Sequence, residues 1–183
     1  MDNMEIERKW MVGSWPELPP DVEHQMEQSY LSVNPLVRIR KEAETGGETV
    51  FMLCFKSQGR LARREIEFPI GETHYRALEE MIGRPPIKKL RRCYALPDGH
   101  VLEVSEVDAG MPKSFVYAEV EFATEEEART WQPEAVGLGA YLDDEVTELP
   151  GQSMSDYWVE TRLSEISQGV PEKSIRWNRS ESE

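Results

Sequence analysis

The sequence predicts an α+β chain of eight β-strands interrupted and followed by helices, eight being about the number that closes a small barrel. Three observations predict it. Apolar and polar residues alternate with period two in eight segments, turn residues separate several of these at hairpin distance, and three other segments carry helical signals. Repeats at periods of about 20–50 residues, the mark of solenoids and propellers, are missing.

The strands are read at 4–12, 25–33, 36–43, 49–57, 62–69, 88–96, 100–107 and 115–122, each rich in Val, Ile, Phe, Tyr or Leu. Asn34-Pro35, Gly46-Gly47 and Pro97-Asp98-Gly99 are short turns of hairpin chemistry. A first helix over 73–82 brings Tyr75, Leu78 and Ile82 together before Gly83 and Pro85 stop it. A second, over 125–131, opens on the capping-box run Thr124-Glu125-Glu126-Glu127. A third, over 153–166, buries Tyr157, Trp158 and Leu163. Residues 1–166 are thus read as one domain, a size that suits the 183-residue chain, and residues 167–183 as a polar tail.

Composition narrows the function classes. Hydrophobic residues at 39% and charged residues at 31% describe a folding chain rather than a disordered one. A net charge of -14 argues against adhesion to nucleic acid or membrane, which are polyanions, and leaves room for a small anion in a locally basic cleft. The short run Lys88-Lys89-Leu90-Arg91-Arg92 does not outweigh that charge. Cys54 and Cys93 lack metal-knuckle spacing and are read as free buried thiols. The N-terminal MDNMEIERKW has no apolar leader core, so the expected compartment is the cytoplasm. His24, His74 and His100 have no partner at metal-ligand spacing and are expected to be exposed. Trp10, Trp15, Tyr30, Phe51 and Phe55 read as core or barrel wall, whereas Trp158 is placed to cover an opening.

On a strand, residues two apart share a face. Glu5, Glu7 and Lys9 therefore point one way and Ile6 the other. The split recurs at Arg38/Arg40, at Arg63/Glu65/Glu67, at Lys89/Arg91 and at Glu119/Glu121. Solvated faces are the usual cause of alternation, but like charges about 6.5–7 Å apart repel unless something of opposite sign lies between them. Carboxylate clusters suit hard divalent cations, and Arg and Lys suit phosphate oxygens. A metal–polyphosphate complex satisfies both.

In their order down the chain these residues resemble the CYTH domain of the triphosphate tunnel metalloenzyme superfamily. Glu5-Ile6-Glu7-Arg8-Lys9 matches its ExExK signature. Val37-Arg38-Ile39-Arg40, Lys56, Arg63-Arg64-Glu65-Ile66-Glu67, Lys89-Leu90-Arg91, Ala118-Glu119-Val120-Glu121 and Glu145-Val146-Thr147 follow where that family has charged strands, over about residues 4–160. The resemblance implies an eight-stranded antiparallel β-barrel, a tunnel open at both ends, with charges inside and helices packed outside. It implies Glu5, Glu7, Glu119 and Glu121 as ligands of Mg²⁺ or Mn²⁺, and Lys9, Arg38, Arg40, Lys56, Arg63, Lys89 and Arg91 as phosphate-binding groups. Glu5, Glu7, Lys9 and Glu119 would be catalytic, and Glu65, Glu67, Glu103 and Glu145 supporting. Two departures stand out. Glu103-Val104-Ser105 has a hydroxyl where the family often has an acid, which Glu106 or Asp108 would replace through a bulge, and the segment after Thr147 does not follow the family's closing pattern.

The expected function is metal-dependent hydrolysis of a linear triphosphate, inorganic tripolyphosphate being the simplest. The alternatives are adenylate cyclase or thiamine triphosphatase activity on the same fold, or a noncatalytic polyphosphate or nucleotide sensor. The expected partner is a small-molecule polyphosphate or nucleoside triphosphate, bound by a monomer or homodimer.

Overall fold

The computed structural model describes residues 4–164. Strands β1 (Met4–Val12), β2 (Val22–Val33), β3 (Leu36–Glu44), β4 (Thr49–Lys56) and β5 (Ala62–Pro69) lead to helix α1 (Glu72–Ile82). Then come β6 (Ile87–Ala95), β7 (Val101–Val107), β8 (Phe115–Glu121), helix α2 (Glu125–Thr130) and a 3-10 turn, Pro133–Val136. A two-residue strand β9 (Asp144–Glu145) precedes helix α3 (Met154–Trp158), which runs on as a π-helical turn, Val159–Leu163.

All the strand pairs are antiparallel, in the order β5-β4-β3-β2-β6-β7-β8-β1, and β1 pairs back onto β5 to close the barrel. The closing pair is short. Met4, Glu5 and Ile6 face β5, and the Glu7 amide bonds to the Leu61 carbonyl beyond them. Farther along β1, Trp10 and Met11 pair with β9 instead, so the C-terminal segment takes up the edge that β5 leaves.

Because the inner face is charged, much of the apolar core lies outside the barrel wall. Trp10, Leu102, Val104, Val120 and Phe122 are covered by α2 and by Trp131, Leu138 and Leu142. Each fully buried side chain of this size contributes about 1.5–3 kcal/mol. On the opposite wall α1 lays Tyr75 against Phe51, with ring centroids 4.9 Å apart. Gly83 ends that helix in the left-handed region at φ 61, where its amide reaches the Glu79 carbonyl.

Helix α3 packs at one end of the barrel rather than on its outer wall. Met154, Tyr157 and Trp158 join Tyr30, Ile87, Val107 and Tyr117 in one cluster. Tyr30 lies across from Arg38, and Val107 across from Lys89, so these partners belong to the inward face. Trp158 is 1% exposed, its ring 5.6 Å from that of Tyr30. The residues after Thr147 thus supply an apolar cap at one end of the tunnel, where the inner surface itself turns apolar.

Differences from the sequence reading have local causes. Strand β2 starts at Val22, three residues early, because residues 22–24 already pair with β6. Strand β9 is too short to show alternation. The C-terminal helix is α-helical only to Trp158, after which Val159 and Thr161 are β-branched and the Thr161 hydroxyl bonds the Tyr157 carbonyl. Residues 165 and 166 and the tail read at 167–183 lie outside the described residues. His74 is exposed as expected, but His24 is half-buried beside Glu42, and His100 is held between Asp98 and Glu127 with its ring against Phe122 and Trp131. Phe55 is exposed on the outer wall, Cys54 is buried and Cys93 is only partly so. No helix of the described residues is long and apolar enough to cross a membrane.

Candidate active site

The inward face of the barrel surrounds a cavity of about 630 Å³. Strand alternation delivers its lining: Glu5, Glu7 and Lys9 from β1, Arg38 and Arg40 from β3, Lys56 from β4, and Arg63, Glu65 and Glu67 from β5. Lys89 and Arg91 come from β6, Glu103 from β7, and Glu119 and Glu121 from β8. With Arg60 and Asp156 the lining carries eight basic and eight acidic side chains, so a chain of net charge -14 keeps a balanced interior. Glu145 is not among them; it sits outside, bonded to Arg8.

Ion pairs organise one side of the cavity. The Lys56 ammonium donates to Glu5 at 2.6 Å, and Arg63 bridges Glu5 at 2.6 Å and Glu7 at 2.9 Å. Arg40 holds Glu67 at 2.8 Å, and Arg91 lies 2.6 Å from Glu103. Burial works to raise the Glu5 carboxyl, but Lys56 and Arg63 hold it down at about 2. Glu7 goes the other way. Burial, then the charges of Glu119 and Glu5, push it up to about 7, and the nearby cations do not offset them. Burial also favours a neutral Glu119, yet Lys9, Lys89 and Arg91 keep its pKa below the ordinary value.

Several charged groups here lack an adequate partner. The Nε atoms of Arg38 and Arg91 are buried with no hydrogen-bond acceptor. The Lys89 ammonium, 5% exposed as a residue, donates to the Tyr117 hydroxyl at 2.6 Å, and burial depresses its pKa well below the usual range. The Glu121 carboxylate makes no hydrogen bond or ion pair among the described residues; the residue as a whole is exposed, yet partial burial followed by the charges of Glu5, Glu103 and Glu65 raises its pKa. A buried guanidinium N–H without an acceptor is costly, as is a carboxylate among carboxylates. An anion bearing a cation relieves both.

The set Glu5, Glu7, Glu119 and Glu121 fits a hard divalent cation by this chemistry. Their registers place Glu7 across from Glu121, with Glu119 two residues along the same strand face, and the charges of Glu119 and Glu5 add to the burial that lifts Glu7. Among the described residues the ligand atoms already drawn within 4.8 Å of one another belong to a different group, Cys54, Glu65 and Glu67. Cys54 donates its thiol to Glu65 at 3.1 Å, and burial pushes that thiol up to about 11.

Parity also shows what the sequence reading missed. Tyr117 precedes Glu119 by two residues and Cys54 precedes Lys56 by two, so both face inward; Gln28 and Tyr30 follow from their places across from Arg40 and Arg38. Neither Glu106 nor Asp108 replaces the acid missing at Ser105. Ser105 is fully buried across from Tyr117, and Glu106 falls on the opposite parity of β7. The Asp108 carboxylate instead accepts from the Lys88 amide and the Tyr157 hydroxyl.

The curated inorganic triphosphatase of Nitrosomonas europaea (strain ATCC 19718) is 32% identical over 149 residues, covering 79% of this chain and 89% of the relative. The chain belongs to the CYTH-like triphosphate tunnel family. A solved inorganic triphosphatase, NE1496, is 26% identical with a TM-score of 0.55, over 81% of this chain and 90% of that one. PH1819 from Pyrococcus horikoshii OT3, at 20% identity and TM-score 0.57, covers 86% of this chain and 99% of its own and shares the fold. So does a Hippeastrum putative adenylyl cyclase described as having a dominant triphosphatase activity, at 16% identity and TM-score 0.53, over 87% and 97%. No family model matches the chain. Family membership agrees with the closed barrel and its inward charges.

Proposed function

We propose that this protein is a divalent-metal-dependent triphosphatase that hydrolyses inorganic tripolyphosphate inside the barrel. The observation that carries the reading is the mismatch within one cavity: the Nε donors of Arg38 and Arg91 without acceptors, beside carboxylates at Glu7 and Glu121 whose pKa values are raised. The similarity to inorganic triphosphatases supports it.

Arg38, Arg40, Lys56, Arg63, Lys89 and Arg91 line the cavity from different strands, so a short phosphate chain lying along it meets donors on several sides. In an enclosed site such donors stabilise the charge that spreads over the transferring phosphoryl oxygens. Glu5, Glu7, Glu119 and Glu121 would hold a divalent ion, Mg²⁺ or Mn²⁺, which when bound would polarise the terminal phosphoryl group and make a bound water more acidic. A carboxylate of this group, Glu7 or Glu119, would take the proton from the attacking water. Lys9, whose pKa burial lowers against the pull of Glu119 and Glu7, stands beside that carboxylate pair as a cation for the phosphate.

The substrate test is a panel of tripolyphosphate, ATP and thiamine triphosphate with Mg²⁺ or Mn²⁺, read by product analysis. Phosphate release fastest from tripolyphosphate supports the reading. Cyclic nucleotide from ATP, faster thiamine triphosphate turnover, or binding without turnover assigns the site to one of the alternatives.

A further inference from the structure

The ExExK signature contains one charged residue that the tunnel does not use. Arg8 lies on the outer face between Glu7 and Lys9, 13% exposed in its side chain, and makes more contacts than solubility requires. Its Nε and one terminal nitrogen grip Glu145 at 2.8 and 2.5 Å. The other terminal nitrogen donates to the carbonyls of Ala128 and Trp131 at 3.0 and 2.7 Å, just at the end of α2. The guanidinium carbon stands 5.0 Å from the Trp10 ring centroid and 5.9 Å from that of Trp131.

From Glu145 the bonds continue to Lys9. The Thr147 hydroxyl donates to Glu145 at 2.8 Å and accepts the Lys9 amide at 2.9 Å, while the Val146 amide bonds the Lys9 carbonyl at 2.9 Å. On the inner face the Lys9 ammonium donates to the Gln152 carbonyl at 2.9 Å and lies 4.1 Å from the Tyr117 ring centroid. Both the main chain and the side chain of Lys9 are thus held by residues 146–152, and this hold exists because β5 leaves β1 after Ile6. Arg8 anchors the start of that segment.

We infer that Arg8, with Glu145 and Thr147, is a positioning device for Lys9: an outer-face clamp that sets where the inner-face lysine meets phosphate. The inference rests on the function proposed above; Arg8 and Glu145 stand outside the cavity, and Thr147 alone of the three reaches its lining. Lysine at position 8 keeps the charge but lacks the planar fork that spans Glu145 and two carbonyls at once. Displacing a substrate-positioning group by about 1 Å costs on the order of 100-fold in rate.

The test is a coupling experiment on the full chain with tripolyphosphate and Mg²⁺. Arg8→Lys should lower kcat by about 10–100-fold with a smaller change in KM. In a Lys9→Ala background the same change should cost less than about twofold, because the residue it positions is gone. Thr147→Val should behave like Arg8→Lys, and Thr147→Ser should restore the rate; this second pair serves if Arg8→Lys does not fold. Equal losses with and without Lys9 would make Arg8 a general support and overturn the inference, as would full activity in Arg8→Lys or Thr147→Val. An inactive wild-type protein would overturn the proposed function together with this inference, whereas an active wild type with insensitive variants overturns the inference alone.

Discussion

Asp108 and Arg162 meet at 2.7 Å beneath the C-terminal helix, their side chains 4% and 9% exposed. Arg162 also donates to the Pro85 and Pro86 carbonyls, so the ion pair fastens the end of the helix to the junction between α1 and β6. Asp108 holds a positive φ of 47 at the end of β7, a conformation that Asp tolerates better than most residues. Breaking a buried pair by removing one partner costs about 3–5 kcal/mol. Asp108→Ala is therefore expected to lower the unfolding free energy by about 3 kcal/mol, measured by urea titration, and an unchanged midpoint would show that the pair carries no weight.

Truncation after Gly151 asks what the helix is for. It removes Met154, Tyr157 and Trp158 from the inward-facing Tyr30, Ile87, Val107 and Tyr117, and it removes the Gln152 carbonyl from Lys9. Water then reaches the cavity and screens its charges. The expected result is lower turnover or a broader substrate range from a barrel that still folds. Loss of melting temperature alone, with kinetics intact, would reduce the helix to packing.

Inner and outer cations should separate cleanly. Arg38→Ala or Arg40→Ala is expected to reduce turnover by about 100–1,000-fold, the usual cost of removing a donor aimed at developing charge. Lys88→Ala and Arg92→Ala fall on the outer face of β6, where Arg92 pairs with Glu23 and covers Trp15, and should change turnover by no more than a few-fold. Steady-state kinetics on the four variants decide it; equal losses would mean that the faces are assigned wrongly.

Glu7 carries opposite signs for stability and activity. Its folded pKa of about 7 lies above the ordinary 4.5, so ionisation costs the metal-free fold. That cost sets in as pH rises from 4.5 and is complete above 7, at most about 3 kcal/mol by linkage. Glu5, held at about 2, works in reverse: its contribution is present above 4.5 and is lost as pH falls toward 2. Glu7→Gln should therefore raise the melting temperature of metal-free protein at about pH 8, with a gain that fades toward pH 4.5, while abolishing turnover. A lower melting temperature at that alkaline pH would contradict the electrostatic account.

The barrel was legible because alternation survives in strands whose inner face is ionic: Arg38 and Arg40 flank Ile39, and Glu119 and Glu121 flank Val120. Alternation grouped these charges on one face of each strand, the family resemblance made that face the inner one, and cross-strand registers such as Glu7 to Glu121 bring the grouped residues together. It passed over Tyr117 and Cys54, which share that parity but read as ordinary core types. Glu145 was grouped with the tunnel acids because a two-residue strand gives no periodicity from which to assign a face. The capped end was half legible: the apolar side of the C-terminal helix showed in Tyr157 and Trp158, but its place depended on long-range contacts with Tyr30 and Ile87.

The central claim is that one cavity, using a divalent ion and the charged inner wall, cleaves tripolyphosphate. Quantifying phosphate and pyrophosphate released from tripolyphosphate, with Mg²⁺ or Mn²⁺ and again with excess chelator, tests it most directly. The account predicts one phosphate and one pyrophosphate per tripolyphosphate consumed, no turnover under chelation, and none from Glu5→Ala in a protein that remains folded. Turnover that persists under chelation, or full activity in Glu5→Ala, would contradict it.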